Sequence, residues 1–283
     1  MELFFANGVL VDTHSNTTNA DRCISINDRA LQYGDGVFET LRIVNGCVPM
    51  WEYHQQRLKN AQKILALPLD DFFSAWADFI ANNLSDVESA CAKLIISRGE
   101  GPRGYKIPPQ AQLNWWLSIT NLPNIDSKND FRLTLCRHTL SRQPTLAGLK
   151  HLNRLDQVMA RSEWSEQDNF DEGIMFNLDG DVTEGTMSNI FWLKAGRLFT
   201  PDLSQEGIDG CVRRWIIHQW GNHSPVIIEK CAKLDQLLTA DAVFLTNSLL
   251  GIQKVTEIDG QVITQSPKVD ELAIDFNRQF IPC

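Results

Sequence analysis

The chain has 283 residues, of which 43% are hydrophobic and 22% charged, and its formal net charge is -9. That length calls for two packed domains with full hydrophobic cores, and the acidic balance disfavours nucleic acid and anionic membranes and points to a small-molecule partner. The seven cysteines are scattered, odd in number and never arranged as CxxC, so they read as reduced cytosolic thiols rather than a disulfide framework or zinc site.

The amino terminus, MELFFANGVLVD, lacks the basic leader of a signal peptide, and no apolar run reaches transmembrane length. Residues 2 to 50 read as strands joined by turns. FFA and VLV flank Asn7-Gly8, and VFETLRIV and CVPMW flank Asn45-Gly46, both with hairpin chemistry, so the chain opens on a small antiparallel sheet. Alternation puts Phe38, Thr40 and Arg42 on one face of a strand and Glu39 and Leu41 on the other.

From Glu52 to Ala66 the spacing of Leu58, Ala61, Ile64 and Leu65 predicts an amphipathic helix. Pro68 separates it from a second helix, capped by Asp70 or Asp71 and running to about Leu84. CAKLIIS (91–97) and QLNWWLSIT (112–120) predict buried strands. The loop between them, RGEGPRGYKIPPQ, is rich in glycine, proline and basic groups and is placed to reach a ligand. NLPNIDSKND (121–130) reads as a linker between an amino-terminal α+β domain (1–120) and a carboxy-terminal α/β domain (131–283). In the latter, FRLTLCR, EGIMFNL, NIFWLK, RLFT, PVIIE and AVFLTN are strand candidates, with helices near 152–167, 210–220 and 233–240. The fold class is mixed α/β to α+β, without an internal repeat.

Gly99, Gly101 and Gly104 match GxGxxG, but a dinucleotide turn needs a helix to start at the loop, and Pro108-Pro109 forbids one. HExxH, GxSxG and GxxxxGK[ST] are absent from the sequence, so neither a metal site nor a hydrolase elbow is indicated. The eight tryptophans read as core and interface packing.

TLAGLKHLNRLDQV (145–158) puts Lys150 after a glycine-bearing loop, where an isolated lysine would be a solvated surface charge. Its companions, in chain order, are GDGVFETLR (34–42), HQQRL (54–58), SRGEGPRGY (97–105), VTEGTMSNIFW (182–192) and LTNS (245–248). Together these resemble the fold-type IV pyridoxal-phosphate enzymes throughout the chain, a family that includes branched-chain and D-amino-acid aminotransferases and aminodeoxychorismate lyases. KHLNR after LAG, with SRGxGxRGY, is most similar to the lyases. The resemblance implies a two-domain fold with the active site at the domain interface, pyridoxal 5'-phosphate as cofactor, no metal, a cytoplasmic location and a homodimer in which the 98–105 loop reaches the neighbouring subunit's site.

Carried over position by position, the resemblance makes Lys150 the residue that holds the cofactor covalently and, once released, moves protons. Glu184 pairs with the pyridine nitrogen and keeps it protonated. Arg57 binds the phosphate through its fork of donors. Asn247 and Ser248 hold further phosphate oxygens, as do the backbone N–H groups of Cys211 and Val212 at a helix start. Aminotransferases often carry threonine at the Val212 position, so valine leaves the phosphate to backbone groups and Arg57.

Thr40 is implied to help protonate a departing enolpyruvate, with Phe38 lining the substrate pocket. Arg103 and Tyr105 receive the substrate carboxylate, Tyr105 standing where histidine is common in D-amino-acid aminotransferases. The reaction expected is cleavage of 4-amino-4-deoxychorismate to 4-aminobenzoate and pyruvate. A D-amino-acid or branched-chain aminotransferase stays open as the alternative, since glutamate at the Glu39 position also occurs there, and so does a non-catalytic cofactor-binding protein.

Overall fold

The computed structural model describes residues 2–11, 24–122, 130–221 and 226–278, and these divide into two compact units. The first holds the described residues before 123 together with Lys150–Asn153, and the second holds 130–149 and 154–278. Residues 123–129 of the expected linker, and Cys23 and Cys283, lie outside the described residues.

In the first unit an antiparallel sheet has the order β2-β1-β5-β4-β3. It is formed by β1 (Glu2–Ala6), β2 (Val9–Val11), β3 (Gly36–Val44), β4 (Ser89–Ser97) and β5 (Asn114–Thr120). Its helices are α1 (Arg29–Tyr33), α2 (Trp51–Leu65) and α3 (Asp70–Asn83). The period-2 pattern of β3 is realised: Val37, Glu39, Leu41 and Ile43 are buried, while Phe38, Thr40, Arg42 and Val44 are half-buried. The buried side chains of β4 and β5 join Leu58 and Ala61 of α2 and Phe72, Trp76 and Phe79 of α3 in the core. Trp115 meets Phe79 edge-on at 5.2 Å, so the Trp115–Trp116 pair contributes a core aromatic and a half-buried neighbour on the opposite face.

Two local expectations are corrected, and one helix is added. CVPMW is not a strand: Cys47 makes only an isolated bridge to Val44 and Trp51 already starts α2, because Pro49 has no N–H for a ladder and Met50 sits at φ 60°. Neither Asp70 nor Asp71 caps α3. Leu69 precedes the helix and both carboxylates lie in its first turn, where they complement the helix dipole. Helix α1, not expected from the sequence, is capped by the Asp28 side chain, which accepts from Ala30 N.

The second unit is built on a mixed sheet ordered β11-β10-β9-β12-β13-β6-β7-β8, with β14 paired to β13. The strands are β6 (Asp130–Thr139), β7 (Glu172–Phe176), β8 (Val182–Gly185), β9 (Asn189–Lys194), β10 (Arg197–Pro201), β11 (Ile227–Glu229), β12 (Ala242–Asn247), β13 (Gly251–Ile258) and β14 (Gln261–Val262). The helices are α4 (Leu155–Arg161), α5 (Cys211–Gly221), α6 (Leu234–Leu238) and α7 (Pro267–Asn277). Leu133, Ile174, Ile190, Trp192, Val243, Leu245 and Val255 form one core with Leu237 of α6. Phe191 and Phe244 stack at 5.1 Å, and Trp215 of α5 meets Phe276 of α7. The helix expected at 152–167 is confined to α4, followed by a single turn at Glu166–Asp168. Among the described residues no helix is long and apolar enough to cross a membrane.

Candidate active site

The sequence assigns Lys150 to the carboxy-terminal domain, yet its backbone belongs to the first unit. Phe38 N donates to the Lys150 carbonyl at 2.9 Å and Val37 bridges His151. The Lys150 side chain crosses the half-buried face of β3, its Nζ lying 4.4 Å from the centre of the Phe38 ring, a favourable seat for an ammonium on an aromatic face. Thr40 is two residues further along that face. It pairs across the sheet with the exposed Lys93, whose Nζ is 5.5 Å from the same ring. Lys150 Nζ thus sits on the Phe38 ring, and Thr40 shares the Phe38 face of the strand.

The buried face of β3 carries a second constellation. Glu39, 1% exposed, accepts from Arg57 Nε at 2.9 Å and from Arg57 Nη2 at 2.5 Å. His54 Nδ1 lies 2.7 Å from Glu39 Oε2, and because a carboxylate only accepts, Nδ1 carries the hydrogen. Burial works to raise the Glu39 pKa, but the Arg57 charge and the His54 hydrogen bond outweigh it and hold the group at about 2. The glutamate thus stays ionised and fixes the guanidinium plane of Arg57. In the sequence Glu39 and His54 stand out only as parts of GDGVFET and HQQRL. The signal for their role is an acid on the core face of a strand followed by a histidine and an arginine three apart on one helix.

Arg103 and Tyr105 sit in the loop between β4 and β5, both exposed, with Tyr105 85% exposed and its ring 5.4 Å from that of Tyr33. The described residues 98–113 contain no helix.

In the second unit Glu184, on β8, is 2% exposed, and its Oε2 accepts from Ile208 N at 2.8 Å. The turn after it is organised by Glu172, which the sequence marks only as part of a strand. Glu172 Oε1 accepts from Gly173 N, Thr186 N and the Thr186 hydroxyl, and its Oε2 accepts from Met187 N and the Ser188 hydroxyl. One buried carboxylate therefore serves five donors and freezes the EGTMS segment.

Cys211 and Val212, both buried, open α5. The chain enters that helix past Asn189, whose amide accepts from Gly210 N at 3.1 Å and donates to Ile208 O at 2.8 Å. A Cβ on Gly210 would come within 2.0 Å of Asn189 Oδ1, so only glycine allows this approach. The entry leaves the first-turn N–H groups of α5 pointing off the helix end, as an anion site requires.

Asn247 ends β12, and its Oδ1 accepts from Leu249 N and Leu250 N and so holds its own turn, with half-buried Ser248 inside it. Directly opposite Asn189 across the β9–β12 ladder lies Thr246, on the same face of the sheet. Its buried Oγ1 has no hydrogen-bond partner among the described residues.

These features match a known family. Residues 36–258 match the amino-transferase class IV family. The chain belongs to that family. Among class IV relatives, the aminodeoxychorismate lyase of Vibrio harveyi is 33% identical over 261 residues, covering 90% of this chain and 91% of that protein. The D-alanine aminotransferase of Bacillus licheniformis is 29% identical over 255 residues, covering 85% and 84%. The solved 4-amino-4-deoxychorismate lyase of Pseudomonas aeruginosa superposes with a TM-score of 0.84 at 36% identity, covering 98% of this chain and 97% of that one. The chain thus has the two-domain fold-type IV architecture.

Class IV enzymes use pyridoxal phosphate, and the donors present fit it. Lys150 offers an amine and Glu184 a buried carboxylate aimed by a backbone N–H. Arg57 is a guanidinium fixed by Glu39, and α5 opens at a glycine with an orphaned hydroxyl on the sheet face toward it.

Proposed function

We propose that this chain is a 4-amino-4-deoxychorismate lyase that releases 4-aminobenzoate and pyruvate with pyridoxal phosphate as cofactor. The observation that carries the reading is the Lys150 amine seated on Phe38 with the Thr40 hydroxyl on the same strand face. The lyase needs a base and a proton donor at neighbouring positions, and that face offers both. The similarity to aminodeoxychorismate lyases along nearly the whole chain supports it further.

Lys150 would hold the cofactor, and its amine would take the proton from the ring carbon that bears the substrate nitrogen. Pyridoxal phosphate, when bound, supplies an electron-accepting ring for the pair left by that proton. Glu184 holds the proton of the ring nitrogen. Arg57, the first turn of α5 and Ser248 hold the phosphate, with Arg57 kept in register by Glu39.

The bond from the substrate ring carbon to the enolpyruvyl oxygen then breaks and the ring becomes aromatic. The enolpyruvate carbon gains a proton, delivered with the help of Thr40, and leaves as pyruvate. Arg103 and Tyr105 take the substrate carboxylate. We further take the protein to be cytoplasmic and a homodimer, with a small-molecule substrate and no nucleic-acid or membrane partner.

Purified protein with pyridoxal phosphate and fresh 4-amino-4-deoxychorismate is expected to form 4-aminobenzoate and pyruvate in equal amounts, against a control without enzyme. If neither appears while the cofactor chromophore is present, the lyase reading falls. The aminotransferase reading, which the D-alanine aminotransferase relative favours, is then tested with D- and branched-chain amino acids.

A further inference from the structure

The loop that carries Arg103 and Tyr105 is tied down by a residue far away in the chain. Arg29 is 3% exposed. Its Nη1 donates to the carbonyls of Gly104 at 3.1 Å and Lys106 at 3.4 Å, and its Nη2 donates to the carbonyl of Tyr105 at 3.3 Å. Three successive carbonyls thus turn inward onto one guanidinium, and the side chains of Arg103, Tyr105 and Lys106 are left exposed.

The guanidinium is itself held. Arg29 Nε donates to Asp35 Oδ2 at 2.8 Å, and Asp35 also takes Arg98 Nε at 2.7 Å and Arg98 Nη2 at 3.0 Å. Arg98 in turn donates to the carbonyls of Leu65 and Ala66 at the end of α2. Burial works to raise the Asp35 pKa, but the hydrogen bonds and charges of Arg98 and Arg29 hold it below the ordinary carboxylate value, so the anchor stays charged.

Two further ties act on the same loop. Gly104 N donates to the Tyr33 hydroxyl at 3.1 Å, and Arg29 N donates to Gly99 O at 2.9 Å. A Cβ on Gly101 would come within 2.9 Å of Arg29 Cδ, so the glycine lets the arginine stem pass beneath the loop. Of the three glycines of the apparent GxGxxG, Gly101 thus serves this packing, while a Cβ on Gly99 would instead meet Gln112 O at 1.9 Å.

We propose that Arg29, aimed by Asp35 and assisted by Tyr33, is a positioning residue for substrate recognition, setting the geometry in which Arg103 and Tyr105 present their donors to the substrate carboxylate. The inference rests on the reading of that pair as the carboxylate receiver. Arginine is required because a lysine point charge cannot hold three carbonyls at fixed angles.

The test compares Arg29→Lys, Tyr33→Phe, Arg103→Ala and the double variant Arg29→Lys/Arg103→Ala in the holoenzyme. Turnover of 4-amino-4-deoxychorismate is measured alongside the rate of tryptic cleavage after Lys106. Arg29→Lys is expected to raise KM about tenfold and Tyr33→Phe about threefold, with kcat within about twofold of the parent and faster cleavage at Lys106. Acting through Arg103, the Arg29→Lys effect on KM should shrink to less than about twofold in the Arg103→Ala background.

Unchanged KM in both Arg29→Lys and Tyr33→Phe, with a raised KM in Arg103→Ala, overturns the anchor and leaves the carboxylate reading standing. Unchanged KM in Arg103→Ala overturns the carboxylate reading and the inference with it. Should Arg29→Lys fail to fold, Tyr33→Phe, which keeps the ring and removes only the hydroxyl, decides the matter, and an unchanged KM there overturns the proposal.

Discussion

Replacing Glu39 with glutamine keeps the side chain's shape and removes its charge, leaving Arg57 buried without a counter-ion. The size of the effect comes from the folded protein holding Glu39 at about 2 against an ordinary 4.5. At roughly 1.4 kcal/mol per pKa unit this is about 3 kcal/mol of stability, in line with the roughly 3–5 kcal/mol lost when one partner of a buried pair is removed. Because the folded pKa is depressed, the contribution is fully present above 4.5 and is lost as pH falls through 2. Urea unfolding of parent and Glu39→Gln at neutral pH should therefore differ by about 3 kcal/mol, and roughly half of that difference should be gone by about pH 3. Equal midpoints at neutral pH, or a gap that does not close on acidification, would refute the claim that an ionised Glu39 holds Arg57.

Three further outcomes are expected. Lys150→Ala should neither develop the cofactor absorbance nor turn over, and full activity in that variant would sink the mechanism. Thr40→Ala should keep the absorbance but release pyruvate about a hundredfold more slowly, and an unchanged rate would remove Thr40 from the proton path. Val212→Thr adds a hydroxyl at the start of α5 and should lower the dissociation constant of pyridoxal phosphate about fivefold, equivalent to one added hydrogen bond. Titrating apoprotein by absorbance checks this, and weaker binding would mean that the buried site has no room for the polar group.

The elements most legible in the sequence are those whose burial repeats with the period of the backbone. The spacing of Leu58 and Ala61 foretells α2, and alternation along β3 separates Phe38 and Thr40 from Glu39 before any coordinate is known. Helix α1 escapes because its five residues give no periodicity, only the Asp28 cap. The strand at Gly251–Ile258 is hidden because Gln253, Lys254 and Thr256 interrupt its apolar run, although Gln253 is 9% exposed and its amide is satisfied by the Leu250 carbonyl. Local pattern cannot announce Glu172 or Arg29 either. Each acts through partners 14 to 16 or 75 to 77 positions away, and contacts of that separation depend on the tertiary fold.

The same distinction explains why cofactor and reaction are unequally readable. Glu184, aimed by a backbone N–H, and the opening of α5 are set by backbone geometry, and a fold that keeps them keeps the cofactor. Lyase and aminotransferase relatives can share these parts while differing in the step after proton removal. The groups that would steer that step are side chains on one face of β3 and on the loop anchored by Arg29. Under the proposed roles, losing the Thr40 hydroxyl or displacing Arg103 by about 1 Å would redirect or slow it. Substitutions in the Arg29–Asp35–Tyr33 anchor should therefore alter discrimination between substrates more than affinity for the cofactor, whereas substitutions at Glu39 or Glu172 should do the reverse.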